Sequence, residues 1–388
     1  MNQKVVNEAN NQSEFMRSAL SLGQQALGNT APNPAVGAVI VKDDKIVGQG
    51  FSLPAGRDHA EIVAIRDAKE LAKGATLYIT LEPCCHTGRT PPCTEAIIKA
   101  GIKEVHFSVT DPNPLVSGNG AKLLEQAGIQ VCKGEEKETS LKLNEAYFKY
   151  IRTKQPFVTA KCATSLDGKI ATRSRDSRWI SSPEARNWAH KLRGQSDAVM
   201  VGIGTIISDD PLLTARDKEN RPLEKQPVRI VVDSGLKTPL NANLFTDSNS
   251  IIIATSSNSE KKMATLRDLG AEVISLPGAG GLVNLPALLD FLGYREITSV
   301  LIEGGSELLG AFFDERLVDK VAFCVSPVII GGKTAIPSVG ATGANKLSEA
   351  YRLQDVSVET VGTDFIVTGY SAKSVLNNGR GVTCFQES

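Results

Sequence analysis

Short apolar stretches alternate with segments of helical periodicity along most of the chain, and this alternation constrains the fold more than any other feature. A chain that alternates in this way folds as α/β, with helices packed on a largely parallel sheet. Residues 1–12 are polar, and we expect them to fray. In the first part of the chain the predicted strands are 35–41, 45–51, 77–81, 104–109 and 129–132, and the predicted helices are 13–27, 59–73, 94–100 and 121–127.

A charged segment of helical character, from about residue 135 to 154, closes this first part, and Thr153-Lys154-Gln155-Pro156 marks a boundary. The alternation then resumes, but residues 320–328 and 356–370 are rich in strand character. We therefore expect the second sheet to finish with antiparallel strands. A chain of 388 residues exceeds one ordinary hydrophobic core. The sequence predicts two α/β domains, residues 1–154 and 155–388.

The balance of charge argues against nucleic acid and membranes as partners. The chain has 43 basic and 43 acidic residues, and only 5% of its residues are aromatic. No segment approaches the roughly 18 apolar residues of a membrane span, and the first residues lack a signal-peptide core, so we expect a cytoplasmic protein. Seven scattered cysteines, an odd number, indicate no disulfide framework.

One histidine, two cysteines and one glutamate form the strongest chemical pattern. His59 and Glu61 lie in Asp-His-Ala-Glu at 58–61, and Cys84 and Cys93 follow further along the chain. Imidazole nitrogen and thiolate sulfur are zinc ligands, and a site with only three protein ligands keeps a fourth position open for catalysis. Glu61 is then free to carry protons for a water that zinc makes acidic. This pattern predicts hydrolytic removal of an amino group from a pyrimidine-like ring.

Three alternatives to a catalytic zinc site stay open at this point. Eight residues separate Cys84 from Cys93, which departs from the Pro-Cys-x-x-Cys signature of base deaminases, so the cysteines could be small buried apolar side chains. Cys85 and His86 could instead complete a closed structural site. The signature also occurs in base-editing proteins, although the balanced charge and few aromatic residues disfavour that class. The turn-forming segment between the cysteines allows the second thiol to return to the metal.

The second half contains two glycine-rich turns. Gly202-Ile203-Gly204 follows a predicted strand, but Ile207 stands where a dinucleotide fingerprint needs its third glycine. Glu303-Gly304-Gly305 lies between a strand and a helix, where backbone N–H groups could hold phosphate, and a simple tight turn is equally consistent. Arg193 and Arg216 could bind phosphate bidentately or could be ordinary surface residues.

Together these segments resemble a known family, the bifunctional riboflavin-biosynthesis deaminase-reductases. In the first half the similar segments are Asn-Pro-Ala-Val-Gly at 33–37, His-Ala-Glu at 59–61, Glu-Pro-Cys at 82–84, Pro-Pro-Cys at 91–93 and Asp-Pro-Asn-Pro at 111–114. In the second half they are Lys-Cys-Ala-Thr-Ser-Leu-Asp-Gly-Lys at 161–169, Ser-Arg-Trp-Ile at 177–180, Asp-Asp-Pro-Leu-Leu-Thr-Ala-Arg at 209–216 and Glu-Gly-Gly at 303–305. The resemblance covers roughly residues 13–370. Ser52 and Val63 stand where many relatives carry histidine.

The resemblance implies two activities and two folds. A cytidine-deaminase-like three-layer α/β/α domain with Zn²⁺ would deaminate 2,5-diamino-6-(5-phosphoribosylamino)pyrimidin-4-one, with Glu61 as the proton carrier. A dihydrofolate-reductase-like α/β domain would then reduce the ribosyl side chain to ribityl with NADPH. The alternative is a zinc deaminase whose C-terminal domain is not catalytic; the presence of Lys161, Asp209, Arg216 and Glu303 argues against it. We also expect a homo-oligomer.

The resemblance further implies three sets of binding residues. Besides the zinc ligands His59, Cys84 and Cys93, the deaminase substrate would contact Asn33, His86, Arg89, Asp111 and Asn113. The residues expected to bind NADPH are Ala163, Trp179, Thr205, Asp209, Ser234 and Gly305. The residues expected to contact the sugar phosphate are Ser177, Arg193, Leu213, Arg216 and Glu303.

Overall fold

The computed structural model describes residues 3–372, with side chains described from residue 13 onward. The chain divides between Lys154 and Gln155 into two compact units. The helices and strands of the first unit are α1 Gln3–Ala26, β1 Gly37–Lys42, β2 Lys45–Phe51, α2 Ala60–Ala68, β3 Thr76–Leu81, α3 Cys93–Lys99, β4 Glu104–Val109, α4 Asn119–Gln126, β5 Gln130–Lys133, α5 Lys137–Leu143 and α6 Glu145–Thr153.

The first unit is a five-stranded sheet between two layers of helices. Its strand order is β2-β1-β3-β4-β5, with β1 antiparallel to both neighbours and β3, β4 and β5 mutually parallel. Along β1, Ile40 packs with α2, α3 and α4, whereas Val39 and Val41 pack with α1 and α5. The period of two along the strand therefore places apolar side chains on both faces, and both faces are covered.

Two helices of this unit differ from the expectation. The helix predicted over 59–73 ends at Ala68 and is followed by a 3₁₀ helix, Lys69–Ala72. The prediction that the N-terminal residues fray and that the helix begins at Ser13 is wrong for residues 3–12, because α1 begins at Gln3. Residues 3–12 contain neither proline nor glycine to stop a helix, and their polarity concealed its periodicity. Ser13 does not cap the helix; its hydroxyl donates to Glu136 Oε1 at 2.9 Å.

The second unit contains a longer sheet with its own set of helices. Its elements are β6 Phe157–Ser165, β7 Lys169–Ala171, α7 Pro183–Gly194, β8 Ala198–Gly202, α8 Ile203–Asp209, β9 Val228–Val232, β10 Ile251–Thr255, α9 Glu260–Asp268, β11 Ala271–Ser275, α10 Leu285–Tyr294, β12 Ser299–Glu303, α11 Ser306–Asp314, β13 Lys320–Ser326, β14 Ile336–Pro337, β15 Leu353–Val361 and β16 Asp364–Ser371.

The strand order of the nine-stranded sheet is β11-β10-β9-β8-β12-β6-β13-β16-β15. The first seven strands in this order, from β11 at the edge through β13, are parallel to one another. Strand β16 runs antiparallel to both β13 and β15, which confirms the predicted antiparallel finish. Strands β6, β8 and β12 are adjacent, so their carboxyl ends meet at one edge. In open parallel sheets, ligands bind at this edge.

Within residues 3–372, no helix is both long enough and apolar enough to cross a membrane.

Candidate active sites

The zinc-ligand candidates of the first unit come together from three places in the chain. His59 immediately precedes α2, Cys84 lies in the loop after β3, and Cys93 is the first residue of α3. His59 Nδ1 lies 3.6 Å from Cys84 Sγ and 3.3 Å from Cys93 Sγ. The backbone N–H of Cys93 donates to Cys84 Sγ at 3.3 Å, which fixes the two sulfurs relative to each other.

These three donors have the chemistry and spacing of a zinc site. Their donor atoms all lie within 4.8 Å of one another. Tetrahedral zinc, with bonds of about 2.3 Å to sulfur and about 2.0 Å to nitrogen, separates such donors by about 3.6 Å. Among the residues that the structure describes, neither Cys85 nor His86 belongs to this donor cluster, and the Cys85 thiol instead donates to Leu115 O. The closed four-ligand alternative therefore finds no support.

Thr90 orients the His59 ring, a role that the sequence analysis missed. Its Oγ1 lies 3.2 Å from His59 Nε2, the nitrogen that does not face the sulfurs. A hydrogen bond at the outer nitrogen leaves the inner nitrogen free to bind the metal and holds the ring in its plane. Thr90 lies in the turn between the two cysteines, so its position in that segment was the only signal.

The thiols of Cys84 and Cys93 differ in pKa, so one of them loses its proton more readily than the other. A hydrogen bond from Cys93 and the nearby His59 lower the Cys84 pKa to about 4, whereas the hydrogen bond to Cys84 and burial raise that of Cys93. The site thus presents an anionic sulfur to a cation.

Glu61 lies in the first turn of α2, close to the donor cluster. Its side chain is buried, and burial, together with the charge of Cys84, raises its pKa to about 7. Its carboxylate also accepts a hydrogen bond from the Cys93 thiol. A buried carboxyl group with a near-neutral pKa, in contact with a metal ligand, is suited to moving protons.

Asp111 forms a second buried acidic group, and Tyr147 supports it. The Tyr147 hydroxyl donates to Asp111 Oδ1 at 2.9 Å, and the backbone N–H of Asn113 donates to the same oxygen at 2.8 Å. Burial raises the Asp111 pKa to about 6, and the charges of Glu82 and Cys84 add to the rise. Tyr147, which lies in α6, was missed because it is distant in sequence from Asp111.

The buried carboxylate of Glu82 organises the loop that carries Asp111. The Glu82 carboxylate accepts hydrogen bonds from the backbone N–H groups of Asp111, Gly118 and Ala121, at 3.3, 3.0 and 3.2 Å. This residue belongs to the quoted Glu-Pro-Cys segment, but the sequence analysis gave it no role. The loops after β3 and β4 are therefore connected through one side chain.

The loop that carries Asn33 is held by Asn144, another residue without a predicted role. Asn144 Oδ1 accepts from Ala35 N at 2.8 Å, and its Nδ2 donates to Ala35 O at 3.0 Å. Ser52 Oγ accepts from the next backbone amide, that of Val36, at 3.2 Å. The Ser52 side chain therefore stabilises the backbone of this loop through a hydrogen bond.

His86 and Arg89 lie in the loop between the two cysteines. Arg89 is exposed, whereas the Nδ1 atom of His86 is buried and has no hydrogen-bond partner within the described part of the chain. A buried polar atom of this kind calls for a ligand or a water molecule. Contact of Asn33, His86 or Arg89 with a substrate stays a prediction.

In the second unit, one cavity of about 2090 Å³ brings together all eleven residues predicted to bind NADPH or the sugar phosphate. The cavity lies at the carboxyl ends of β8 and β12, where Gly202 and Glu303 line it, and beside the middle of β6, which contributes Lys161. The predicted residues in its lining are Ala163, Ser177, Trp179, Arg193, Thr205, Asp209, Leu213, Arg216, Ser234, Glu303 and Gly305.

A buried ion network lines this cavity. Arg193 Nη2 and Lys161 Nζ donate to Glu303 Oε2 at 3.0 and 3.3 Å, and Arg193 Nε donates to Oε1. Burial alone would raise the Glu303 pKa, but the charges of Arg193 and Lys161 outweigh it and hold that pKa at about 2. Arg193 Nη1 donates to Thr214 O at 3.0 Å, so protein acceptors already engage its guanidinium.

The other predicted arginine, Arg216, has neutral side-chain partners, whereas Arg193 pairs with the carboxylate of Glu303. Its Nε donates to Thr214 Oγ1 at 3.0 Å, and its Nη1 lies 3.3 Å from Asn220 Oδ1. His190, which also lines the cavity, was missed; its Nδ1 lies 3.1 Å from Thr214 O. Burial and the charge of Arg193 lower the His190 pKa, so its ring is neutral at neutral pH. Thr214 thus contacts the neutral His190 and the two arginines, Arg193 and Arg216.

The Glu-Gly-Gly turn is a tight turn that also opens onto the cavity. Gly304 and Gly305 have φ of 64° and 78°, a region that favours glycine. A Cβ atom on Gly305 would lie 3.3 Å from Thr205 Oγ1, at the start of α8. The turn precedes α11, so N–H groups of a helix start face this end of the cavity. The short helix α8 begins at Ile203, inside the Gly202-Ile203-Gly204 segment that the sequence analysis compared with a dinucleotide fingerprint.

Comparisons with known proteins agree with both units. Residues 9–109 match the family described as the cytidine and deoxycytidylate deaminase zinc-binding region, and residues 156–367 match the RibD C-terminal domain. The riboflavin biosynthesis protein RibD of Aquifex aeolicus is 43% identical over 353 residues, covering 91% of this chain and 96% of the relative. The RibD protein of Escherichia coli strain K12 is 39% identical over 364 residues, covering 90% and 96%.

Solved structures show the same similarity over both units. Form 1 of Acinetobacter baumannii RibD superposes with a TM-score of 0.83 at 36% identity, covering 94% of this chain and 99% of the other. A Thermotoga maritima structure gives 0.81 at 36% identity, covering 93% and 99%. That protein is called a diaminohydroxyphosphoribosylaminopyrimidine deaminase/5-amino-6-(5-phosphoribosylamino)uracil reductase.

These matches confirm the predicted fold class, a cytidine-deaminase-like zinc unit followed by a dihydrofolate-reductase-like unit, and with it Zn²⁺ and NADPH as cofactors. A zinc deaminase with a non-catalytic second half is not favoured, because the relatives match both halves. The chain belongs to the RibD family, the bifunctional deaminase-reductases of riboflavin biosynthesis.

Proposed function

We propose that residues 1–154 deaminate 2,5-diamino-6-(5-phosphoribosylamino)pyrimidin-4-one and that residues 155–388 then reduce its ribosyl side chain to ribityl. The observation that carries the deaminase assignment is the convergence of His59, Cys84 and Cys93 beside the buried carboxylate of Glu61. The convergence of eleven predicted residues on one cavity carries the reductase assignment. The substrate identity follows from the name of the Thermotoga relative.

In the deamination, His59 Nδ1 and the sulfurs of Cys84 and Cys93 would hold the zinc ion. Zinc, when bound, makes a water molecule at the open position more acidic. Glu61 is placed to accept a proton from the attacking water, whose oxygen then bonds to the ring carbon that carries the amino group. Glu61 then delivers this proton to the ring nitrogen, takes up the remaining proton of the added hydroxyl group and delivers it to the leaving amine as the carbon–nitrogen bond breaks. One water is consumed, one ammonia leaves, and Glu61 ends in its starting state.

Buried polar groups around the zinc site hold the substrate. Asp111, kept in place by Tyr147 and the Glu82 loop, accepts hydrogen bonds from the ring or its amino groups. Asn113, Asn33 and His86 provide further polar contacts, and the exposed Arg89 is placed to meet the phosphate. The unpartnered Nδ1 of His86 supports this assignment.

In the reduction, the large cavity holds the cofactor and the sugar phosphate together. Its volume of about 2090 Å³ exceeds the roughly 300–1,000 Å³ of a pocket for one small ligand. NADPH supplies the hydride, and the chain aligns the two partners. The residues we assign to NADPH are Ala163, Trp179, Thr205, Asp209, Ser234 and Gly305. The residues we assign to the sugar phosphate are Ser177, Arg193, Leu213, Arg216 and Glu303.

The ion network suggests separate roles for the two arginines. Glu303 and Thr214 engage Arg193 on all three nitrogens, so Arg193 shapes the site and contributes positive charge. Arg216, whose side-chain partners Thr214 and Asn220 are neutral, is the better placed to bind phosphate with its guanidinium group.

We also propose that the protein acts in the cytoplasm as a homo-oligomer. The edge strand β15 exposes Val356 and Val358, and the adjacent β16 exposes Phe365. An exposed apolar edge strand favours pairing with another chain, which supports a homo-oligomer. The balanced charge of the chain supports a small-molecule substrate over nucleic acid.

The test compares two variants of the full chain, Glu61→Gln and Arg216→Ala, by ammonia release and by NADPH oxidation. Glu61→Gln should abolish ammonia release from the diaminopyrimidinone phosphate but still reduce the deaminated compound. Arg216→Ala should release ammonia normally and reduce the deaminated compound with a raised KM. If Glu61→Gln still releases ammonia, or if wild type releases ammonia without oxidising NADPH, the corresponding assignment is wrong.

A further inference from the structure

A second group of metal-donor side chains lies in the first unit, on the sheet face opposite α2 and α3. Along β4, Val105 and Phe107 pack into the core that contains α2 and α3. His106, between them, points to the other face and stacks on Tyr78 with 4.6 Å between ring centroids. The His106 side chain is only 3% exposed. The proposed deaminase mechanism uses none of these groups.

Three different donor types meet around His106. Donor atoms of Glu104, His106 and Cys132 all lie within 4.8 Å of one another, and Glu104 Oε1 is 3.1 Å from His106 Nε2. The parallel register of β4 and β5 pairs His106 with Cys132, so both side chains lie on one face of adjacent strands. A set of one nitrogen, one sulfur and one oxygen donor suits zinc, which accepts all three.

The other ring nitrogen of His106 has the partner that metal-binding histidines commonly have. His106 Nδ1 lies 2.6 Å from Glu135 Oε1. A carboxylate at the far nitrogen fixes the tautomer so that the near nitrogen can bind a metal. Ser108 Oγ, on the same face of β4, donates to the backbone carbonyl of Glu135 and anchors it. The cluster thus has three candidate metal ligands, Glu104, His106 and Cys132, and a carboxylate, that of Glu135, which holds the histidine ring.

One atom of the cluster has no protein partner. Glu135 Oε2 is buried and accepts no hydrogen bond from any residue that the structure describes. Leaving a buried carboxylate oxygen unpaired is costly, and such atoms commonly bind an ion or a water held by one.

We propose that Glu104, His106 and Cys132 form a second zinc site, with His106 Nε2, a Glu104 carboxylate oxygen and Cys132 Sγ as ligands and Glu135 as the outer partner of His106. Glu104 and Cys132 are partly exposed, so ions can enter from solvent. A protonated His106 between two carboxylates is the competing arrangement. That arrangement needs no thiol, so Cys132 distinguishes the two.

The test measures zinc per chain by mass spectrometry of the full protein, equilibrated with micromolar zinc and passed through a desalting column. Wild type should retain two zinc ions, and Cys132→Ser and His106→Gln should each retain one. Cys84→Ser should also lose one ion, but from the other site. Gln130→Ala is the matched control. It removes an amide group 3.9 Å from Cys132 Sγ but none of the proposed zinc ligands, and it should retain two zinc ions.

A wild-type content of one zinc, or a Cys132→Ser variant that keeps two, would overturn the proposal. Glu135→Gln covers the case in which a ligand variant does not fold, because it leaves all three donors in place. It should weaken zinc binding at the second site about 10- to 100-fold while the first site is unchanged. Equal affinity in Glu135→Gln and wild type would contradict the assigned outer role.

Discussion

The Glu303 carboxylate should be one of the most stabilising charges in the second unit. Its side chain is 8% exposed and is bonded by both Arg193 and Lys161. These cations lower its pKa from 4.5 to about 2. At about 1.4 kcal/mol per pKa unit, this difference corresponds to about 3 kcal/mol of stability at neutral pH. Glu303→Gln leaves two buried cations without their anion, and the cost of breaking such a group is about 3–5 kcal/mol.

The sign of the pH dependence follows from the lowered pKa. A carboxyl group with a lower pKa in the folded state stabilises the protein above the pKa of its unfolded state. That stabilisation is lost as the pH falls from about 4.5 toward 2. The difference in unfolding free energy between wild type and Glu303→Gln should therefore be constant from pH 7 to about 5 and shrink in more acidic solution.

The assay is urea unfolding of the full chain, followed by near-ultraviolet circular dichroism at several pH values. Arg221→Gln provides a matched control, because this exposed arginine also pairs with two acidic side chains, and its loss should cost less than about 1 kcal/mol. A cost below about 1 kcal/mol for Glu303→Gln, or a difference that stays constant down to pH 3, would refute the reasoning.

Three further outcomes are expected. Thr90→Val keeps the shape of the side chain but removes the hydrogen bond to the metal-binding ring, and titration with a chelator should show zinc affinity reduced about 10- to 100-fold; unchanged affinity would contradict its orienting role. Tyr147→Phe removes a hydrogen-bond donor to the ionised Asp111, so the pKa of Asp111 should rise above about 6. In a plot of kcat/KM for deamination against pH, the acidic limb should then move to higher pH. An unchanged acidic limb would show that Asp111 has no role in substrate binding. Gly305→Ala places a Cβ at positive φ near the cavity and should raise the KM for NADPH at an unfolding cost of about 1–2 kcal/mol, and a normal KM would exclude this turn from the cofactor site.

The sequence predicted most of the regular elements because their signals are local. Strands 45–51 and 104–109 have the same limits in the structure, and the strand predicted over 77–81 begins one residue earlier. Apolar periodicity, capping residues and glycine stops act over a few residues, so they can be recognised without knowing the fold. The N-terminal helix escaped notice because its polar residues carry no apolar stripe.

A zinc site could be proposed from the sequence because its candidate ligand types are rare and chemically specific. Imidazole, two thiolates and a nearby carboxylate have few other joint uses, so the ligand set could be proposed before the distances were known. The support of that site could not be predicted in the same way. Thr90 and Tyr147 are ordinary residue types; the only signal for Thr90 is its place between the two cysteines, and Tyr147 is distant in sequence from Asp111.

What the amino-acid sequence alone determined was the alternation of strands and helices, the boundary near residue 154 and the ligand types of the candidate zinc site. Only the tertiary structure decided which side chains complete them, such as Tyr147 beside Asp111 and Glu135 beside His106. The physical reason is distance along the chain. Periodicity reports which face a residue occupies, but a hydrogen bond between remote segments depends on how their strands are ordered in the sheet and where the connecting loops return.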